Sequence, residues 1–192
     1  MRRAQITRKT RETDIALSLC LDGGKVAIDT GIGFFDHMLT ALATHAGFGL
    51  TLTVQGDLQV DGHHTVEDTG IVLGQAFAKA VGDKAGIARY GTAFIPMDEA
   101  LCFACLDISG RPYLVFDAQF REAQVGTFDT CLVVEFMRAF CVNAGITLHL
   151  KCEYGANAHH VIEGLFKALA HALRTALRQT GGAVLSTKGT LD

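Results

Sequence analysis

The chain has 192 residues, of which 49% are hydrophobic, with 21 glycines, two prolines and a formal net charge of −3. That length is enough to bury a substantial core, and the slightly acidic balance offers no electrostatic footprint for nucleic acid. No apolar run reaches membrane-spanning length and no signal-peptide pattern opens the chain, so a cytoplasmic protein without membrane contact is expected.

Alternating apolar residues predict three short strands near 4–9, 12–21 and 25–29, as in ALSLCL. A helix follows near 34–46 and a strand near 48–56. Val66, Ile71, Val72, Leu73, Ala76, Phe77 and Ala80 carry a helix near 64–82. The same order then recurs. Strands are predicted near 86–95, 99–107 and 112–117, a helix near 127–144, a strand near 146–153 and a helix near 159–179.

The recurrence extends to residues. ETDIALSLCL pairs with DEALCFACLD, KVAID with PYLVFD, FFDHMLTAL with LVVEFMRAF, and HAGFGLTLTV with NAGITLHLK. A period of roughly 90 residues is too long for a solenoid unit. The expected fold is α+β: two tandem copies of a sheet-plus-helices half-domain, of the split β-α-β type found in ribosomal proteins. The copies span 1–84 and 85–192 and pack as one functional unit.

One motif occurs twice inside this repeat. His63-His64-x-x-Glu67 and His159-His160-x-x-Glu163 lie 96 residues apart. Imidazole and carboxylate together are a ligand set for zinc, manganese or iron. On a helix each Glu falls one turn below its two histidines. Adjacent histidines diverge by roughly 100° there, so the two of a pair need not serve one ion, and two metals are plausible.

Other histidines carry weaker signals. His37 precedes His63 by 26 residues, and Glu135 precedes His159 by 24, at the repeat-equivalent place. Each reads equally as a ligand or as a polar residue near a helix start. His45 ends the first helix, where a cation suits the helix dipole. His149 alternates with Leu148 and Leu150 and so points outward, and His171 in ALAHALR reads as structural. Cys20, Cys102, Cys105, Cys131, Cys141 and Cys152 are scattered. The close pair in LCFACL lacks the second pair of a zinc knuckle, so buried free thiols in a reducing compartment are expected.

Arg89, Arg111 and Lys188 each lie beside glycine, in IARYG, SGRPY and STKG. Glycine permits close backbone approach, and guanidinium presents a fork to phosphate. Ser186 and Thr187 add hydroxyls beside Lys188. The alternative is ordinary exposed charge.

FFDHML, DGHHTVEDTGIVLGQA, PMDEAL, HHVIEGLFKALAHALR and the terminal STKGTL together resemble imidazoleglycerol-phosphate dehydratase, in order, from residue 2 to about residue 191. RKTRETDI near the start fits as well. The resemblance implies a duplicated half-domain and a late dehydration in histidine biosynthesis. It implies two manganese ions per active site and large symmetric shells, commonly of 24 subunits. Metal ligands are then His37, His63, His64, Glu67, His159, His160 and Glu163. Glu135 joins them, standing where many members carry His. Substrate contacts fall at Glu12, His45, Arg89, Arg111, Ser186, Thr187 and Lys188. The ligands His37, His63, Glu67 and His159 would touch substrate too.

The chemistry asks for such a set. D-erythro-imidazole glycerol phosphate loses the hydroxyl on the carbon attached to the ring. It also loses hydrogen from the next carbon, which no carbonyl acidifies. Cations at both ring nitrogens favour the imidazolate, which can push hydroxide out. A base then gives the enol, and the enol becomes the ketone of imidazole acetol phosphate. Glu12, His45, Asp98 and Glu163 are the candidate acids and bases. A dinuclear metallohydrolase releasing inorganic phosphate is the competing class. Ferritin-like storage would need Glu-x-x-His on a four-helix bundle, which neither the motif order nor the strands fit.

Overall fold

Every second residue of the segment Thr13–Cys20 is buried: Thr13, Ile15, Leu17 and Leu19 face inward. A computed structural model describes residues 1–191. In chain order it holds β1 (Arg3–Lys9), β2 (Thr13–Cys20), β3 (Val26–Asp29), α1 (Gly33–Ala46), β4 (Gly49–Gly56) and α2 (His63–Val81). Then come β5 (Tyr90–Met97), β6 (Ala100–Asp107), β7 (Tyr113–Asp117), β8 (Gln124–Val125) and β9 (Phe128–Asp129). α3 (Leu132–Ala144), β10 (Thr147–Tyr154) and α4 (Ala158–Ala176) complete it.

The two halves have one topology. One sheet runs β1-β2-β4-β3 and the other β5-β6-β10-β7, each with its last-named strand parallel to its neighbour. The α+β class with two sheet-plus-helix halves therefore stands. Helices pack across the halves, α2 on α3 and α1 on α4, while α2 also covers β1 and β2 and α4 covers β5 and β6. The core is consequently continuous. Phe136 of α3 meets Phe35 of α1 edge-on at 5.4 Å and stacks on Phe166 of α4 at 5.4 Å. Phe140 of α3 meets Phe77 of α2 at 5.7 Å.

The α2–α3 crossing depends on two glycines. A Cβ on Gly70 would lie 2.9 Å from the Phe136 carbonyl oxygen, and one on Gly74 2.7 Å from that of Phe140. These contacts also show that α2 and α3 run the same way, since the later glycine meets the later residues.

Three predicted boundaries shift. The strand expected over 86–95 starts at Tyr90, because Gly86 and Arg89 adopt left-handed φ of 66° and 70°. The helix expected over 127–144 starts at Leu132, because β8 and β9 form a small hairpin ahead of it. The helix expected to reach residue 179 stops at Ala176. There the amides of Ala88 and Arg89 take the Arg178 and Ala176 carbonyls, and Ile87 bridges Gln179.

Cys102 points into the core and Cys105 to the other side of β6, so the two share no ligand position.

Candidate active site

The starts of all four helices meet at one end of the protein. Gly62, just before α2, lies against Ile32 and Leu132, which open α1 and α3. The Phe34 ring of α1 meets the His159 ring of α4 edge-on, with centroids 5.0 Å apart. Helix N-termini carry positive dipole ends and unsatisfied N–H groups. Both His-His-x-x-Glu motifs are therefore delivered to that end.

At the start of α4, His159 Nε2 lies 3.3 Å and His37 Nε2 3.7 Å from Glu163 Oε2. One donor atom from each of the three lies within 4.8 Å of the others. Glu163 is 7% exposed, and Lys167, one turn on, reaches its other oxygen at 2.7 Å. Burial pushes the Glu163 carboxyl up, but Lys167, His37 and His159 outweigh it and leave the group below its ordinary value. Imidazole nitrogen and carboxylate oxygen at these separations suit a divalent transition metal, manganese included.

In the first half, His63 Nε2 lies 3.5 Å from Glu67 Oε2. No third donor joins them: among the described residues the His37, His159 and Glu163 group is the one with three. Glu135, expected among the metal ligands, pairs with Arg138. Its backbone lies one residue before Phe136, on the stretch of α3 that Gly70 packs against. The repeat is thus matched in backbone and unmatched in side chain.

The second histidine of each pair diverges, as the helical spacing demands, with ring planes at 87° between His63 and His64 and 76° between His159 and His160. His64 Nδ1 lies 3.1 Å from both oxygens of Asp57, and its Nε2 3.7 Å from Glu12. His160 Nδ1 donates to Glu99 Oε2 across 2.7 Å, and its Nε2 lies 3.6 Å from Asp98. Hydrogen bonding to these carboxylates raises both imidazoles. Amide N–H groups of Asn157 and Ala156, with His160, hold the Glu99 carboxyl down at about 2.

His45 sits at the far end of α1. Eight residues along a helix place it about 12 Å from His37. Its Nδ1 is 3.2 Å from His171 Nε2, so His171 has a partner rather than a packing role alone. Burial lowers the His45 imidazole, and Lys167 and His171 lower it further. The shift favours the neutral ring.

The basic residues gather at the opposite end. Arg89 is 8% exposed, and its fork grips Asp107 at 2.6 and 2.9 Å while Nη1 reaches the Leu185 carbonyl at 2.6 Å. Its guanidinium is thereby committed to the protein and organises the loop that carries Ser186, Thr187 and Lys188. Arg111 stays exposed, 3.5 Å from Asp107, and with Lys188 lines a groove beside Tyr90. Free donors for a phosphate are therefore those of Arg111, Lys188 and the hydroxyls, more than of Arg89.

Lys167, Asp57 and Glu99 lie outside the set of site residues expected from the sequence. The Glu163-to-Lys167 spacing was a visible signal, since Glu four residues before Lys pairs on a helix. Asp57 and Glu99 gave none, because they reach their histidines from loops after β4 and before β6.

A duplicated α+β fold that presents paired histidines and carboxylates at one end and a basic groove at the other defines an enzyme for a small anionic substrate. Comparison with known proteins names the family. Residues 30–173 match the model of imidazoleglycerol-phosphate dehydratase, and the chain belongs to that family. The dehydratase of Gluconobacter oxydans 621H is 58% identical over 194 residues, covering 99% of this chain and 98% of the relative. That of Methylobacterium radiotolerans is also 58% identical, over the full length of both. The crystal structure of the Staphylococcus aureus N315 enzyme superposes with a TM-score of 0.86 at 45% identity, covering 93% of this chain and 99% of that one. The Pyrococcus furiosus enzyme gives 0.85 at 39%, covering 97% and 100%. The activity is that of a hydro-lyase: removal of water from imidazoleglycerol phosphate in histidine biosynthesis.

Proposed function

We propose that this dehydration uses two manganese ions and that each active site is assembled from more than one copy of the chain. The carrying observation is the separation of the two functional ends. Arg89 N bonds the Ala176 carbonyl at the end of α4, whereas His159 stands at its start. Nineteen helical residues span about 27 Å. An imidazole ring on a three-carbon phosphate is far too short to touch both ends of one chain. A closed, symmetric homo-oligomer, with 24 subunits as the expected size, would bring one copy's basic groove to another's histidines.

His37, His159 and Glu163 would hold one ion of a site, joined by His64 or His160 from a neighbouring copy. His63, Glu67 and Glu135 would form the repeat-related set. Bound manganese would supply positive charge at the substrate's ring nitrogens. Glu163, ionised and steadied by Lys167, can take a proton from the carbon next to the hydroxyl-bearing one. His45, held neutral, and Glu12, beside His64, are the other groups able to move a proton. The departing hydroxyl leaves as water once protonated. Arg111, Ser186, Thr187 and Lys188 would bind the phosphate and so fix the reacting carbons.

All six cysteines are free thiols, and among the described residues no helix is long and apolar enough to cross a membrane. Both fit a cytoplasmic biosynthetic enzyme.

Mixing two inactive variants tests the shared site. His159→Ala and Arg111→Ala proteins, dissociated and reassembled together, should recover part of the wild-type activity that neither shows alone. Mixed assemblies that stay as inactive as their parents would contradict it.

A further inference from the structure

Asp57 and Glu99 do not belong to the expected ligand or substrate sets, yet each holds the Nδ1 side of the second histidine in a pair. They are not equivalent. Glu99 is locked: its Oε1 accepts from the Ala156 and Asn157 amides at 3.1 and 2.8 Å, and its Oε2 accepts from His160 Nδ1 at 2.7 Å. Asn157 in turn accepts from the His159 and His160 amides and caps α4. Asp57 has no such anchor: both its oxygens lie 3.1 Å from His64 Nδ1, and among the described residues no backbone amide donates to either.

We infer that Glu99 is a positioning residue that fixes the Nδ1–H tautomer of His160, leaving Nε2, which lies 3.6 Å from the exposed Asp98 carboxylate, unprotonated as the metal-binding nitrogen. The inference rests on the proposed role of His160 as a metal ligand and deepens it. A ligating histidine generally gives its other N–H to such a carboxylate, and loss of that partner costs roughly 10–100-fold in metal affinity. The geometry makes a sharp substitution available. In Glu99→Gln, only the side-chain oxygen can accept from the two amides, so the NH₂ must face His160 Nδ1. Nδ1 then has to accept, and the proton moves to Nε2, where it blocks coordination. Asp57→Asn faces no such constraint. Its amide can present oxygen to His64 and keep the Nδ1–H form.

The test is ¹⁵N–¹H correlation of the imidazoles in metal-free protein, at a pH that leaves the rings neutral, alongside manganese titration of the same samples. Wild-type His160 should show the Nδ1–H tautomer. Glu99→Gln should show Nε2–H at His160, with manganese bound roughly 10–100-fold more weakly at that position and the metal-free melting temperature nearly unchanged. Asp57→Asn should retain Nδ1–H at His64. A His160 tautomer indifferent to Glu99→Gln overturns the inference, as does full manganese affinity in that variant. Wild-type protein that takes up no manganese overturns the metal reading instead, while the tautomer result stands by itself. If Glu99→Gln fails to fold, Glu99→Ala with the same spectrum replaces it, and a lone Nδ1–H tautomer surviving there overturns the inference too.

Discussion

Lys167 Nζ donates to Glu163 Oε1 across 2.7 Å, one turn along α4, and so holds a buried carboxylate against His37 and His159. Lys167→Met removes that donor and leaves an under-satisfied carboxylate in a nearly closed position. A loss of about 1–3 kcal/mol in folding stability is expected. Urea denaturation of the metal-free protein measures it, and activity should fall as well because the Glu163 carboxyl rises.

The close α2–α3 crossing gives a second expectation. A Cβ on Gly74 would fall 2.7 Å from both the Asn143 Cβ and the Phe140 carbonyl oxygen. Backbone cannot yield there as a flexible side chain would. Gly74→Ala should destabilise by about 1–3 kcal/mol, read from the denaturation midpoint. An unchanged midpoint would mean that the helices separate freely.

Glu135 should behave as a displaced ligand. Glu135→His should keep most of the bound manganese, and Glu135→Ala should lose part of it, by metal analysis after gel filtration. Arg138→Ala, which frees the carboxylate from its ion pair, should not lower metal content.

Acid sensitivity can be assigned at one contact. The Arg2 amide and guanidinium lower the Asp22 carboxyl from its ordinary 3.8, while Arg2 Nη1 also holds the Leu177 carbonyl at 2.8 Å. A carboxyl depressed in the folded state stabilises above its unfolded value, and that contribution disappears as pH falls through the folded one. Asp22→Asn should therefore melt below wild type at neutral pH and match it once the pH has fallen below the lowered Asp22 value. The contact is partly exposed, so solvent screening should keep the gap under about 1 kcal/mol.

Much of this was legible in the chain. Strict alternation in ALSLCL and LTLTV marks strands with one buried face, and the doubled His-His-x-x-Glu marks the chemistry, because both signals are local and periodic. The β8–β9 hairpin was not legible, since Phe128 and Asp129 read as the start of the helix expected near 127–144. Nor was the commitment of Arg89 to Asp107, which needs the β5–β6 pairing to bring the two together. His45, expected as a substrate contact, lies about 12 Å from His37 within one chain because α1 carries it to the far end.

The most direct measurement is product analysis on imidazoleglycerol phosphate with protein stripped by chelator and then given manganese. The stripped protein should form no product, and manganese should restore conversion to imidazole acetol phosphate without release of inorganic phosphate. Full turnover by the stripped protein, or inorganic phosphate as the main product, would contradict a manganese-dependent dehydration at these histidines.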